Sequence, residues 1–557
     1  MSKKLVILLL LSCQMFFGQN INWQWANSSN NTGPSNSYVT HTALDSNNNF
    51  YTLGNFTNEI GFEDLQIIDN NYTKFIAKFN SEGNVLWLKK LESTNDFEII
   101  GLETDSNNNL IINGNIKLGT SFTGNINFND EDNISFEATP NYGNYRHFSA
   151  KFNSNGILSW SDTDFGKSIV YSTDIDSNNN CYSFGEYTTS LVVEDTSLNS
   201  LSGDRDFYLL KKNNNNLIWS KKFDFYVNYL SKSQLKITDN NEIVIIGETS
   251  VENFHFQEYN HYMGHPDIKK LIIIKFDIDG NLISMNHILN PPLNDSYLHK
   301  YLINNHGFIY DYGTFTDNTL EINSTILNKV GQEDLYVGKF DSSGNLISAN
   351  SIGLLNTGFT FDKLIEKNNE LYILTDFYPT GTININNTNY TCNGEFTSLI
   401  LKLDNNFNFI WTKSATGIGT THGNFPNNLN ISNNNEMFIT GAYSCENIQF
   451  DNFNLLETNN TEVNLKIFIA KLIDNSNLSN DTNNNIYIYP NPVTTEINVL
   501  SSKKMFGKKY QIFNPLGKII TEKYIDNYSN TIDAKHLQSG IYFLKLEDYD
   551  AIKFIKN

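Results

Sequence analysis

Oxygen-bearing side chains at alternating positions are the first chemistry this sequence offers. In the stretch LDSNNNFYTLGNF, Leu44 to Phe56, the residues Asp45, Asn47 and Asn49 have the spacing of the leading ligands of a calcium loop. A second candidate is HFQEYNHYMGHPD, His255 to Asp267, where Glu258, His261 and His265 supply the donor types of a zinc site. Trp87, Trp160, Trp219 and Trp411 offer flat apolar faces on which sugar rings stack. The many carboxylates could supply an acid/base pair of the glycosidase kind. No nucleophile elbow, phosphate-binding glycine loop or paired-histidine zinc motif is present.

Internal repetition decides how the first candidate is read. The opening stretch returns as TDSNNNLIINGNI, IDSNNNCYSFGEY, ITDNNEIVIIGET, INNHGFIYDYGTF, IEKNNELYILTDF and ISNNNEMFITGAY, making seven copies roughly 65 residues apart. Asp45, Asp105 and Asp176 give way in the later copies to Thr238, Asn304, Glu366 and Ser432, so the first would-be ligand is lost more often than kept. The glycine at the sixth loop position and the terminal acidic ligand are also missing. What persists is an apolar residue, an Asn-rich turn, alternating apolar residues, and a glycine at Gly54, Gly114, Gly185, Gly247, Gly313 and Gly441, with Thr375 as the exception. Asn and Gly are the residues a tight hairpin needs. The motif is therefore a turn, and neither a metal nor a cofactor is expected.

A second element alternates with the first: FIAKFNSEGNVLW, FSAKFNSNGILSW, YLLKKNNNNLIW, IIIKFDIDGNLIS, YVGKFDSSGNLIS and LILKLDNNFNFIW. Each reads as strand, turn, strand, so every repeat supplies about four strands and no helical period. Seven such units predict an all-β chain whose body, residues 20–475, is a seven-bladed β-propeller. The last copy, IFIAKLIDN, stops one strand short, whereas the unclaimed INWQWAN, Ile21 to Asn27, resembles NVLWLKKL. The N-terminal strand is thus expected to complete the last blade and remove a free sheet edge. The four tryptophans share equivalent repeat positions, which favours packing between blades over sugar stacking, and no catalytic residues are nominated.

The remaining features concern export. MSKKLVILLLLSCQMFFGQN has two lysines, an apolar run and small or polar residues at its end, so residues 1–19 read as a secretory signal peptide. Cys13 sits where a lipid-attachment cysteine would, but Met15, Phe16 and Phe17 continue the apolar run and favour cleavage near Gln19. No other segment is apolar for long enough to span a bilayer as a helix. A net charge of −21 excludes nucleic acid as a likely class of partner, because that affinity rests on Lys and Arg. Cys181, Cys392 and Cys445 are too few for a disulfide framework and read as buried small residues, with a Cys392–Cys445 pair between adjacent repeat units as the alternative. After a polar linker at 476–484, residues 485–557 change sign, with ten lysines against seven acidic residues, and form short strands broken by Pro490, Pro492, Pro515, Gly517 and Gly540. A small β-sandwich fits that pattern.

Two resemblances follow from these residues. The body resembles exported bacterial β-propeller repeats of the "LDSxGNxYxxGxF … FIAKYDxxGNxLW" kind, a likeness that implies fold and carries no catalytic residues. The C-terminal segment resembles the type A sorting domain of the type IX secretion system of Bacteroidota, through Tyr489, Pro490, Asn491 and Pro492, the Gly517-Lys518 turn, and Gly540, Ile541 and Tyr542. That resemblance implies recognition by the type IX translocon and delivery to the cell surface or medium. The function expected is a non-catalytic binding or adhesion module for a glycan or protein. The alternatives are a secreted polysaccharide hydrolase or lyase and a structural surface-layer component.

Overall fold

The computed structural model describes residues 21–31, 35–93, 95–117, 123–129, 132–137, 145–200, 205–223, 230–250, 252–256, 259–262, 269–288, 299–331, 333–354, 359–377, 382–385, 388–391, 397–418, 424–456, 465–474, 487–489, 493, 495–500, 507–525, 529–547 and 551–556. Residues 1–19, read above as a signal peptide, and 476–484, read as a linker, lie outside the described residues. Every regular element among them is a β-strand.

Among the described residues, seven antiparallel units with four principal strands each follow one another along the chain, some with added strands at the edge. Unit 1 runs through Ser37–Leu44, Phe50–Phe62, Leu65–Phe79 and Val85–Ser93, and units 2 to 6 begin at Phe97, Phe165, Ser231, His299 and Phe359. Unit 7 contains Asn424–Ile431, Glu436–Tyr443 and Lys466–Asp474, and its fourth strand is Ile21–Ser28 from the start of the chain. That strand pairs antiparallel with Lys466–Asp474, from Ile21 opposite Asp474 to Ser28 opposite Phe468. The first strands of neighbouring units lie side by side, and those of units 7 and 1 also meet, so the architecture is that of a β-propeller.

The Asn-rich turns fold through local acceptors. Asp45 Oδ1 accepts the backbone N–H groups of Asn47 and Asn49 at 3.0 and 2.9 Å, and its Oδ2 accepts the Asn49 amide at 2.8 Å. Asp105 and Asp176 do the same. In the later copies Thr238, Asn304, Glu366 and Ser432 each accept a backbone N–H of their own turn. Any short oxygen-bearing side chain serves that purpose, which explains the substitutions. The left-handed position falls on Asn48, Asn108, Asn179, Asn241, Gly307, Asn369 and Asn435.

The recurring glycine is not part of the turn. Gly54 pairs with Val39, Gly114 with Ile99, Gly185 with Val170 and Gly441 with Pro426, each where the first strand bulges. A Cβ on Gly54, Gly114 or Gly185 would stand 2.1–2.3 Å from the carbonyl oxygen of Tyr38, Glu98 or Ile169. The bulge presses backbone onto backbone, and only glycine leaves room.

Hydrophobic cores lie between units. Separate clusters join units 1 and 2, 3 and 4, 4 and 5, 5 and 6, 6 and 7, and 7 and 1. Tryptophans seal the outer strands against the next unit: Trp87 donates to Ser154 O at 3.3 Å and lies against Gly156, and Trp25 donates to Ser81 O at 3.2 Å and lies against Gly83. The closing strand therefore does for unit 7 what Val85–Ser93 does for unit 1.

Gly114→Ala is expected to cost about 3 kcal/mol through overpacking. Gly307→Ala, at φ +80 with no backbone within 3.4 Å of its Cβ, should cost only about 1 kcal/mol. Urea unfolding followed by tryptophan fluorescence checks both, and equal costs would refute the close-approach role.

Candidate functional site

Antiparallel pairing puts the two short turns of each unit at one end of the ring and the connection between the second and third strands at the other. The turn end is tightly knit. Ser46 N donates to Asn108 Oδ1 at 2.9 Å, Ser106 N to Asn179 Oδ1 at 2.8 Å, Asn304 Nδ2 to Glu366 Oε2 at 3.0 Å and Asn48 Nδ2 to Glu436 Oε2 at 2.8 Å, each bridging adjacent units. The opposite end carries projecting pairs such as Thr319–Ile322 with Thr325–Asn328, and Asn447–Phe450 with Phe453–Leu456. Large apolar side chains stand exposed on these projections: Ile68 at 69%, Ile326 at 60%, Val330 at 70% and Leu456 at 63%.

Between the two ends, the first strands line the ring at a common level. His41, Gly101, Ser172, Gln234, Lys300, Lys363 and Asn428 pair with the same position of the second strand in every unit, namely Leu53, Asn113, Phe184, Ile246, Tyr312, Leu374 and Thr440. Most of these side chains reach the next unit. Ser172 Oγ accepts Leu235 N at 2.9 Å, Gln234 Nε2 donates to Tyr301 O at 2.7 Å, Lys300 Nζ to Asp362 O at 2.7 Å and Lys363 Nζ to Asn428 Oδ1 at 3.2 Å.

Two buried charge clusters lie further out. Between units 4 and 5, Glu248 Oε1 meets His299 Nε2 at 2.6 Å and Lys232 Nζ at 3.0 Å, while Tyr336 donates to Asp311 Oδ1 at 3.1 Å. Burial opposes ionisation of Glu248, but the bonds from His299 and Lys232 prevail and hold its carboxyl down at about 2. Burial prevails at Asp311 and pushes its carboxyl up to about 7 despite His299 and Tyr336. Between units 2 and 3, Ser149 Oγ lies 3.4 Å from His147 Nε2, and His147 Nδ1 lies 2.8 Å from Asp164 Oδ2. Nucleophile, base and orienting acid stand in that order. However, Ser149 donates to Asn113 Oδ1 at 2.7 Å, Asp164 also binds Lys212 at 2.9 Å, and the three residues are only 8%, 2% and 1% exposed. No substrate carbonyl reaches that hydroxyl, so the arrangement serves cohesion.

Of the sequence candidates, Glu258 and His265 lie outside the described residues, as do Cys392 and the Pro490-Asn491-Pro492 run. Among the described residues no group of His, Cys, Asp or Glu is placed to hold a metal ion. Cys181 and Cys445 are buried, and Cys445 Sγ donates to Asn447 O at 3.2 Å. In the tail, Tyr489 ends the strand Tyr487–Tyr489. Gly517 and Lys518 belong to a turn in which Asn514 Oδ1 accepts Leu516 N and Lys518 N at 3.0 and 2.9 Å, the same device that shapes the ring's turns. Gly540 opens the strand Gly540–Leu546. Ile541 is 41% exposed, whereas Tyr542 points inward, stacks on Phe554 and donates to Gln538 O at 2.9 Å. These residues do not converge on one point. The waist positions and the buried clusters were not singled out from sequence; for the waist, a spacing of four residues before the turn acceptor, kept in every unit but the sixth, was the available signal.

The family described as "Secretion system C-terminal sorting domain" matches residues 487–557. The tail is a secretion-system sorting domain. It supports type IX sorting of the chain to the cell surface or exterior. No curated protein matches the chain. Similar solved structures include a protein of unknown function from Bacteroides caccae, 8% identical, covering 69% of this chain and 94% of its own, at a TM-score of 0.30. One of unknown function from Dyadobacter fermentans is 8% identical and covers 68% and 98% at 0.33. PorZ, described as a bacterial surface component of the type-IX secretion system of Porphyromonas gingivalis, is 8% identical and covers 94% and 100% at 0.18. At these scores the likenesses carry no argument about this chain.

A carboxyl held up at about 7 in the fold but near 4 when unfolded stabilises fully below pH 4 and loses that contribution as pH rises through 7. Asp311→Asn should therefore gain on the parent chain between pH 5 and pH 8, by on the order of 2 kcal/mol. Glu248, depressed instead, contributes no slope in that window. Thermal melts at the two pH values check this, and parallel curves would refute it.

Proposed function

We propose that this chain is exported through an N-terminal signal, delivered by its type IX sorting tail, and works at the cell surface or in the medium as a non-catalytic binding module for a glycan or protein. In this reading the body is a closed seven-bladed ring, and the sorting tail is its address.

The observation that carries the binding role is the asymmetry of the ring's two ends. Hydrogen bonds stitch the turn end into an even surface. The other end projects two-stranded excursions whose apolar side chains, Ile68, Ile326, Val330 and Leu456 among them, are left in water. Projecting segments with apolar side chains left in water, held on a rigid scaffold, are where contact surfaces are commonly built. The excursion Asn447–Phe450 also pairs with the outer strand Phe409–Ile418 of the preceding unit, which fixes it in place. A pre-ordered surface loses little entropy on binding. The tail's role rests on the family match, with Tyr489, Pro490, Asn491, Pro492, Gly517, Lys518, Gly540, Ile541 and Tyr542 as its recognised pattern.

Binding of the purified chain to arrays of surface glycans and envelope proteins is expected to be saturable and without turnover. Replacing Ile326 and Val330 by Asp should weaken it by tenfold or more while leaving the melting temperature within about 2 °C. Shortened glycan products would instead establish the hydrolase or lyase reading. Deleting residues 485–557 should leave the protein in the periplasm, as fractionation and immunoblotting would show; surface display without the tail would remove the sorting assignment.

A further inference from the structure

Two lysines stand on adjacent units at the waist of the ring, in a protein of net charge −21. Lys300 and Lys363 occupy equivalent first-strand positions of adjacent units, Asn428 takes that position in unit 7, and His41 takes it in unit 1. The arc is continuous: Lys300 Nζ donates to Asp362 O at 2.7 Å, Lys363 Nζ to Asn428 Oδ1 at 3.2 Å, and Asn428 Nδ2 to Thr40 O at 3.4 Å. The side chains of Lys363 and His41 are half-buried and that of Lys300 is exposed. The first strands that carry them are the ones that meet around the axis of the ring, so they border the central channel of a propeller.

Lys363 has no carboxylate partner among the described residues. Burial and then the charge of Lys300 press its ammonium down to about 8, and burial, Lys363 and Lys74 hold His41 down at about 4. Lys300 is offset in part by Asp362, and Lys74 by Glu98 and Asp96. Desolvating an ammonium beside a second one is costly unless an anion is meant to join them. Hydroxyls and amides stand near the arc: Thr42 donates to Asn430, and His41 Nδ1 lies 3.0 Å from Thr40 Oγ1. Such a lining suits sugar hydroxyls, and the acidic exterior disfavours long polyanions.

We propose that this arc of the channel binds the anionic substituent of an acidic glycan, a uronate carboxylate or a sulfate ester, with Lys363 as the charge that receives it. This rests on reading the ring as a binding module and names the class of ligand.

The test is calorimetric titration of the full exported chain with trigalacturonate, a sulfated disaccharide, neutral cellotriose and inorganic sulfate. At least one acidic sugar should bind saturably, and cellotriose should not. Which acidic sugar binds distinguishes carboxylate from sulfate. Lys363→Met should weaken binding at least tenfold and Lys363→Arg less than threefold, whereas Lys545→Met in the tail should change nothing. In the unmodified chain, affinity should fall as pH rises past 8, because the Lys363 ammonium loses its proton, while His41 stays neutral from pH 6 upward and adds no step. That profile decides the matter even if the Met variant fails to fold. Absence of saturable binding by both acidic sugars, or a pH-flat affinity that Lys363→Met leaves unchanged, overturns the proposal. Neutral-glycan or protein binding that is indifferent to Lys363 would overturn it while leaving the binding-module reading intact.

Discussion

Six of the seven junctions between sheets of this ring are apolar among the described residues, and a sheet with two apolar faces cannot be stable alone. Burial against two neighbours is the only arrangement that removes both faces from water, and it forces repeated units to continue until they meet. Cores therefore sit between units, as in the cluster joining Tyr310 and Leu335 of unit 5 to Ile373 and Leu401 of unit 6. Turns, bulges and tryptophan roofs all set the angle at which one unit meets the next.

The junction between units 2 and 3 follows a different rule. Among the described residues no apolar cluster bridges it. Asn115 instead pairs with both backbone groups of Val170, at 3.0 and 2.9 Å, Glu103 accepts from Thr173 at 2.7 Å, and Arg146 donates to Gly166 O at 2.6 Å. Together with the Lys212–Asp164–His147 chain, this is a satisfied polar seam. Removing one partner from such a network costs more than the pair contributes, so it acts on specificity of assembly more than on net stability. A serine, histidine and aspartate in catalytic order arise there from that logic alone.

Much of the architecture was legible because repetition exposes which positions matter. Seven copies separated the turn acceptor, which tolerates Asp, Thr, Asn, Glu or Ser, from a metal ligand, which would not. The matching of INWQWAN to NVLWLKKL pointed to the closing strand, and YPNP with SGIY pointed to the tail. The glycine was misplaced in that reading: its neighbours in sequence are turn residues, but its constraint comes from a bulge on another strand. The waist was hidden for a related reason. Lys363 stands three residues before its turn acceptor where Lys300 stands four, because Asn368 and Asn369 make the turn of unit 6 tighter. Spacing along the chain thus disguises an equivalence that strand pairing restores.

The closing strand also governs time. Ile21–Ser28 finds its partner only at Lys466–Asp474, so the last hydrogen bonds to form join segments that are made first and nearly last. Loop closure over such a separation is slow, and until it happens unit 7 keeps an open edge. The same bonds are the natural place for unfolding to begin, since peeling one terminal strand opens the ring without first breaking a core from within. Lifetime under mechanical load or protease attack is then set by the eight residues of that strand, however well the other units are packed.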